Sequence, residues 1–248
     1  METANSKTKL KKFFKYLLFG TSSLIVLIVV WKLIWISSGS NQWKLEKDKN
    51  GVKVYSLKTP GVSVKKFRAT VNVKYSLSHL VALFIMDNSL ENAKEWFPNC
   101  TDVKVIEPWN PTAHYETVLW KFDMIFPFSP RELITTTQVT QDKESKVVVV
   151  DVFAAPSKIP LNEGYVRAKE VHNRWKFTPH ENGEVEMELL QDFSMGGLFP
   201  EFPMNLAGAN GLYTMFHDQL PKLLNKEKYQ NIKYDFIEEL NKEVAIHE

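Results

Sequence analysis

Apolar and polar positions change rhythm several times along this chain, and each change predicts an element. From Tyr16 to Ile36 the run is 21 residues long and carries no charge before Lys32, close to the ~20 residues that span a bilayer as a helix. Beyond Ser40 the pattern becomes mixed. "GVKVYSLK" (51–58) and "VKKFRATVNV" (64–73) alternate with a period of two and predict strands. "SLSHLVALFIMD" (76–87) has the helical period, with Ser76 placed to cap it. "NSLENAKEWF" (88–97) predicts a second helix, stopped by Pro98. Strands are expected at about 103–108, 114–123, 131–141, 146–155, 165–178 and 183–194. The last strong element is a helix over 203–224, with Leu212, Met215, Phe216, Leu220, Leu223 and Leu224 on its apolar face and Gly208 and Gly211 weakening it. The fold class is α+β.

Lysines 7, 9, 11, 12 and 15 precede the apolar run and predict a basic cytoplasmic segment (1–15) before a transmembrane signal anchor (16–36). That orientation puts the rest of the chain on the non-cytoplasmic side, periplasmic in a bacterium. Lys32 can snorkel beside Trp31 and Trp35. The competing expectation is a cleaved signal peptide that releases the body, since "SSGS" before Asn41 offers small residues for cleavage.

Composition narrows the classes. Of 248 residues, 44% are hydrophobic and 24% charged, which is globular and not disordered. Net charge is +2, but residues 1–40 hold six lysines against Glu2, so the body is slightly acidic. That body is long enough for one core, and without a basic excess it offers nothing to nucleic acid. A single cysteine, Cys100, excludes an internal disulfide and a cysteine-built metal site.

One strand stands out. "VVVVDVFAA" sets Val147, Val149, Asp151 and Phe153 on one face and Val148, Val150, Val152 and Ala154 on the other. Both faces are apolar, unlike a strand with one solvated side. "EVEMELL" instead alternates Val185, Met187 and Leu189 with Glu184, Glu186 and Glu188. Such strands in series could close over a long helix or around a cavity.

"WKLEKDKNGVKVYSLK" (43–58), "PFSPREL" (127–133), "IPLNEGYVRAK" (159–169), "RWKFTP" (174–179) and "GGLFPEFPMNL" (196–206) occur in that order. Together they resemble the START family, the steroidogenic-acute-regulatory-related lipid-transfer domains, over residues 42–224. The resemblance implies a helix-grip fold: a curved antiparallel sheet around a long C-terminal helix, with an internal cavity for a lipid. Residues 225–248 then form a charged amphipathic tail. Two departures stand out. The family usually has Arg-Asp where this chain has Arg131-Glu132. Where cholesterol-type members carry an arginine on the next strand, this chain has Thr137.

The resemblance places Trp120, Asp151 and Leu189 toward the cavity. Phe153, on the face of Asp151, and Met215, on the last helix, complete the expected lipid-cavity set. It also makes the segment before Arg131 a loop at the cavity mouth, similar to one that meets membranes through an aromatic residue. Phe126 falls at that position, Phe128 follows, and Leu198 and Phe199 sit on the matching tip. These four are the expected membrane contacts. Pro127 and Pro130 keep the loop out of the sheet.

The expected function is a membrane-anchored lipid-binding or lipid-transfer protein holding one lipid, with a lipid ligand and a membrane surface as partners. No cofactor, metal or catalytic residue is implied. No nucleophile-elbow, P-loop or dinucleotide motif occurs, and the six histidines lack ligand spacing. The alternative is a helix-grip enzyme, cyclase- or hydrolase-like, using Asp151, His114 or His217 in the cavity.

Overall fold

The computed structural model describes residues 2–197 and 199–240. They divide into two compact units, one from residues 1–42 with Lys58–Ser63, the other from Trp43–Leu57 with the chain from Val64 onward.

The first unit is a helix with a fitted end. Helix α1 runs Glu2–Ser37, and its Lys11–Ser37 portion is long and apolar enough to cross a membrane. A helix leaves its last carbonyls without partners. Here Gly61 N–H donates to Ile36 O at 2.8 Å and Lys58 Nζ donates to Ser38 O at 3.0 Å. Trp35 Nε1–H donates to Ser63 O at 2.8 Å, and its ring stacks on Trp31 at 6.1 Å. Gly39 is required where it stands. Its φ is +120°, and a Cβ there would lie 2.3 Å from Lys58 O.

The second unit holds a ten-stranded sheet among the described residues. The strands are β1 (Trp43–Lys49), β2 (Val52–Leu57), β3 (Lys66–Val73), β4 (Cys100–Asn110), β5 (Tyr115–Phe122), β6 (Arg131–Gln141), β7 (Val148–Ala154), β8 (Val166–Ala168), β9 (Glu170–Pro179) and β10 (Val185–Ser194). The order is β1-β2-β3-β10-β9-β7-β6-β5-β4, all antiparallel, and the short β8 pairs parallel with β6. The curved antiparallel sheet and the C-terminal helix that the family resemblance implies are both present. The expected strand over 165–178 is two: β8 goes to β6 and β9 goes to β7 and β10. Strand β1 escapes the alternation test because its exposed edge position leaves "WKLEKDK" mostly polar.

Helix α2 (Leu77–Ile85) begins just after Ser76, as predicted, and α3 (Leu90–Trp96) just after Ser89. The Ser76 and Ser89 side chains accept from His79 N–H and Asn92 N–H. The C-terminal helix departs from a regular α-helix. It runs as α4 (Phe202–Thr214), one π turn (Met215–Gln219) and α5 (Leu220–Leu224). Pro221 has no N–H to donate to the preceding turn and its ring crowds the carbonyl four residues back, so the wider turn before it relieves both. Gly208 has a packing reason beyond low helix propensity. A Cβ there would meet the Phe67 ring of β3 at 2.4 Å, so glycine lets the helix settle onto the sheet. Phe216 stacks on Trp175 with centroids 5.7 Å apart, and both are buried. Each such fully buried apolar side chain contributes about 1.5–3 kcal/mol.

The segment after residue 224 packs on α2 and α3. Tyr229 is fully buried and donates to Asn92 Oδ1 at 2.9 Å. Glu239 accepts from Leu77 N–H and Ser78 N–H at 2.8 and 2.9 Å, satisfying the open N-terminus of α2. Lys226 and Lys228 likewise meet Glu95 and Asp87. Residues 241–248 lie outside the described residues.

Candidate functional site

Pleating decides what faces inward. On β5 the inner positions are Glu116, Val118, Trp120 and Phe122; their partners on β6 are Thr137, Thr135, Leu133 and Arg131. Thr137 pairs in turn with Val152 of β7, and Val152 with Asn173 of β9. Between this face, α2, α3 and the π turn lies a cavity of about 250 Å³. Trp96, Trp120, Trp175, Leu189 and Met215 are part of its wall. Trp120 Nε1–H donates to Thr135 Oγ1 at 2.9 Å, so the indole is fixed and its polar end satisfied.

Of the five residues expected to line the cavity, three are in its wall: Trp120, Leu189 and Met215. Asp151 and Phe153 are not. Register sets this, because Val150 and Val152 pair with the inner residues Trp175 and Asn173, and alternation turns Asp151 and Phe153 to the outer face. There Asp151 accepts from Arg174 Nε at 2.8 Å and Nη2 at 3.0 Å, and lies 3.1 Å from His172 Nε2. Partial burial pushes its carboxyl up, but the bonds to Arg174 and His172 outweigh that and hold it below its ordinary value. Neither histidine considered for acid–base work is in the wall. His114 stacks on Phe236 at 4.3 Å, and His217 is a surface residue 2.7 Å from Asp218 Oδ1.

The inner carboxyl is Glu116, which the sequence reading passed over. Its residue is 2% exposed; Oε2 accepts from Asn88 Nδ2 at 2.9 Å, and Oε1 is buried with no partner. Burial pushes its pKa up to about 7, against which the Asn88 bond pulls only in part. The available signal was a lone acid in the alternating run "HYETVLW", on the face of Trp120.

The wall's charged groups are committed elsewhere. Arg131 donates to Met195 O at 3.0 Å, to Gly196 O at 3.3 Å and to Ser129 O. Asp87 accepts from Lys228 Nζ at 2.8 Å and from Ser89 N–H at 2.9 Å. Arg131 and Glu132 are neighbours but not a pair. They point to opposite sides of β6, and Glu132 accepts from Arg167 Nε at 2.8 Å and Asn162 Nδ2 at 2.6 Å.

By binding Ser129, Met195 and Gly196, Arg131 ties together the loops 123–130 and 195–201 at one end of the cavity. Phe128 meets the Phe199 ring edge-on at 5.0 Å, and the Arg131 guanidinium stands 5.8 Å over that ring. These two phenylalanines are half-buried struts. Phe126 is different: it is 92% exposed, and Ile125 beside it is 77% exposed. The Phe126–Pro127 peptide is cis. Leu198 lies outside the described residues.

A START domain family model matches residues 35–225. An uncharacterized protein of Pseudomonas aeruginosa is 27% identical over 168 residues, 67% of this chain and 79% of that protein. Among solved structures, a STAR-related lipid transfer protein fragment from Xanthomonas axonopodis superposes with a TM-score of 0.64 at 22% identity, covering 74% of this chain and 99% of the fragment. Human StAR-related lipid transfer protein 5 gives 0.59 at 16% identity, covering 83% and 97%. At these identities the structures establish a shared fold.

Proposed function

This chain belongs to the START domain family, and from that membership and its cavity we propose that it is a membrane-anchored protein that holds one lipid and passes it to or from a bilayer. The observation that carries the reading is the apolar cavity between the sheet and the C-terminal helix, walled by three tryptophans, Leu189 and Met215. Shape and apolar contact do the binding, and no chemical step or cofactor is invoked. The exposed Ile125 and Phe126, at the end of the cavity pinned by Arg131, supply the membrane contact. Apolar side chains that cost free energy in water are stabilised among acyl chains. Phe128, and Phe199 below them, brace the loop, and the π turn at Met215 gives the helix a point at which to yield.

Full-length chain reconstituted in liposomes should speed exchange of a fluorescent lipid with acceptor liposomes. Met215→Trp, which fills the cavity from the helix side, should reduce the rate at least several-fold. Exchange no faster than with protein-free liposomes would overturn the reading.

Residues 16–36 of α1 serve as the retained anchor, with the lysines before them cytoplasmic and the START domain on the other side. Stacked Trp31 and Trp35, with Lys32, suit the membrane interface. Protease added outside spheroplasts or sealed cells should digest the domain while residues 1–36 stay with the membrane. Complete protection of the domain would reverse the assigned topology.

A further inference from the structure

Two amides stand where the inner face should be apolar. Asn173 of β9 and Gln191 of β10 are directly paired across the sheet, and both are in the cavity wall. Their inner-face neighbours there are Val152, Val171, Trp175 and Leu189. Asn173 Oδ1 is fully buried and has no hydrogen-bond partner. An amide oxygen buried without a donor is costly, so such groups in folded proteins are nearly always satisfied by something. Opposed side chains at this spacing lie close enough to grip one small group between them. Together they offer a carbonyl acceptor and amide N–H donors. That set matches a hydroxyl, which gives one hydrogen bond and takes others. An ester, an ether or a hydrocarbon has no hydrogen to donate and leaves Asn173 Oδ1 unsatisfied.

Charge narrows the ligand further. The two charged residues in the wall, Asp87 and Arg131, already hold their partners. Asp87 is paired with Lys228, Arg131 spends its donors on three backbone carbonyls, and an ionised phosphate or carboxylate would bring only further acceptors, not the donor that Asn173 Oδ1 lacks.

On the carrier reading above, we propose that Asn173 and Gln191 select an uncharged lipid bearing a hydroxyl, which donates to Asn173 Oδ1 inside the cavity.

The test uses the full-length chain in liposomes and three probes with the same diazirine-bearing acyl chain: a monoacylglycerol, the fatty-acid methyl ester and a phosphatidic acid. After irradiation, labelling is read by mass spectrometry on the peptides containing Trp120 and Met215. The monoacylglycerol should label them about fivefold more than the methyl ester at equal membrane concentration, the equivalent of about 1 kcal/mol for one hydrogen bond. Phosphatidic acid should label them least. Asn173→Leu should bring monoacylglycerol labelling to the level of methyl ester labelling measured on the same variant. Asn173→Ser, which keeps an acceptor, should retain part of the preference.

Equal labelling of the wild-type chain by monoacylglycerol and methyl ester overturns the inference and leaves the carrier reading standing, with water as the partner of Asn173. A preference for phosphatidic acid overturns it too. Absence of cavity labelling by any probe overturns the carrier reading and this inference with it. The wild-type comparison needs no variant, so a misfolded substitution cannot shelter the proposal.

Discussion

Glu116 and Asp151 are both lone acids on apolar strands, one facing inward and the other outward. Asp151 has an arginine and a histidine opposite it on β9 and some water, and its carboxyl stays charged below its ordinary pKa. Glu116 has Asn88 on one oxygen, nothing on the other and almost no water, and its pKa rises to about 7. What separates them is pairing and solvent, both set by the face each occupies. Glu132 supplies the third combination. It is as buried as Glu116, but it has Arg167 as its partner.

The sharpest way to separate burial from pairing is Arg167→Ala. It strands the Glu132 carboxylate in the interior and should cost about 3–5 kcal/mol, read by chemical denaturation of the full chain. A loss below about 1 kcal/mol would mean that burial without a partner is tolerated here, and the contrast would collapse.

Glu116→Gln tests the opposite corner. A carboxyl whose pKa rises from 4.5 to about 7 on folding favours the fold fully below the unfolded value. That support is lost as pH climbs through the folded value. Wild-type stability should therefore fall between about pH 5 and pH 8, by about 1–3 kcal/mol in total. The Gln variant should be flatter across that window and the more stable protein at pH 8. Parallel pH profiles for the two chains would place the titration elsewhere.

Asp151→Ala should do less. A partly exposed pair contributes at most about 1 kcal/mol. With a depressed folded pKa, that contribution is present above the ordinary aspartate value and disappears as pH falls through the folded one. Cavity labelling by the monoacylglycerol should be unchanged in this variant; a reduction would bring Asp151 back to the inner side.

The smallest effect on stability is expected at Phe126. With its side chain almost wholly in solvent, Phe126→Ser should change stability by less than about 0.5 kcal/mol while slowing lipid exchange between liposomes. A several-degree drop in melting temperature with normal exchange would make Phe126 a packing residue of the loop.

Period and punctuation carried much into view without any structure. The apolar run through Ile36, the cap at Ser76, the break at Pro127 and Pro130 and the apolar face of the last helix are local facts of spacing and residue type, so the chain states them directly. The ordered segments resembling the START family supplied the sheet-and-helix arrangement. Other things were not local. "VVVVDVFAA" is apolar on both faces, so nothing within it says which side turns inward. Register with β6 and β9 decides that, and with it the outward turn of Asp151 and Phe153. Asn173 and Gln191 are 18 positions apart and meaningful only as a cross-strand pair. The contacts of Tyr229 with α3 and of Glu239 with α2 join segments far apart in sequence, so no local pattern announces them. The sequence by itself determined most of the elements, the long apolar helix and the proline break before β6, because those follow from short-range periodicity and backbone chemistry. Only the tertiary structure decided the cavity's polar groups, because a strand residue's solvent and partners come from chain segments far away in sequence.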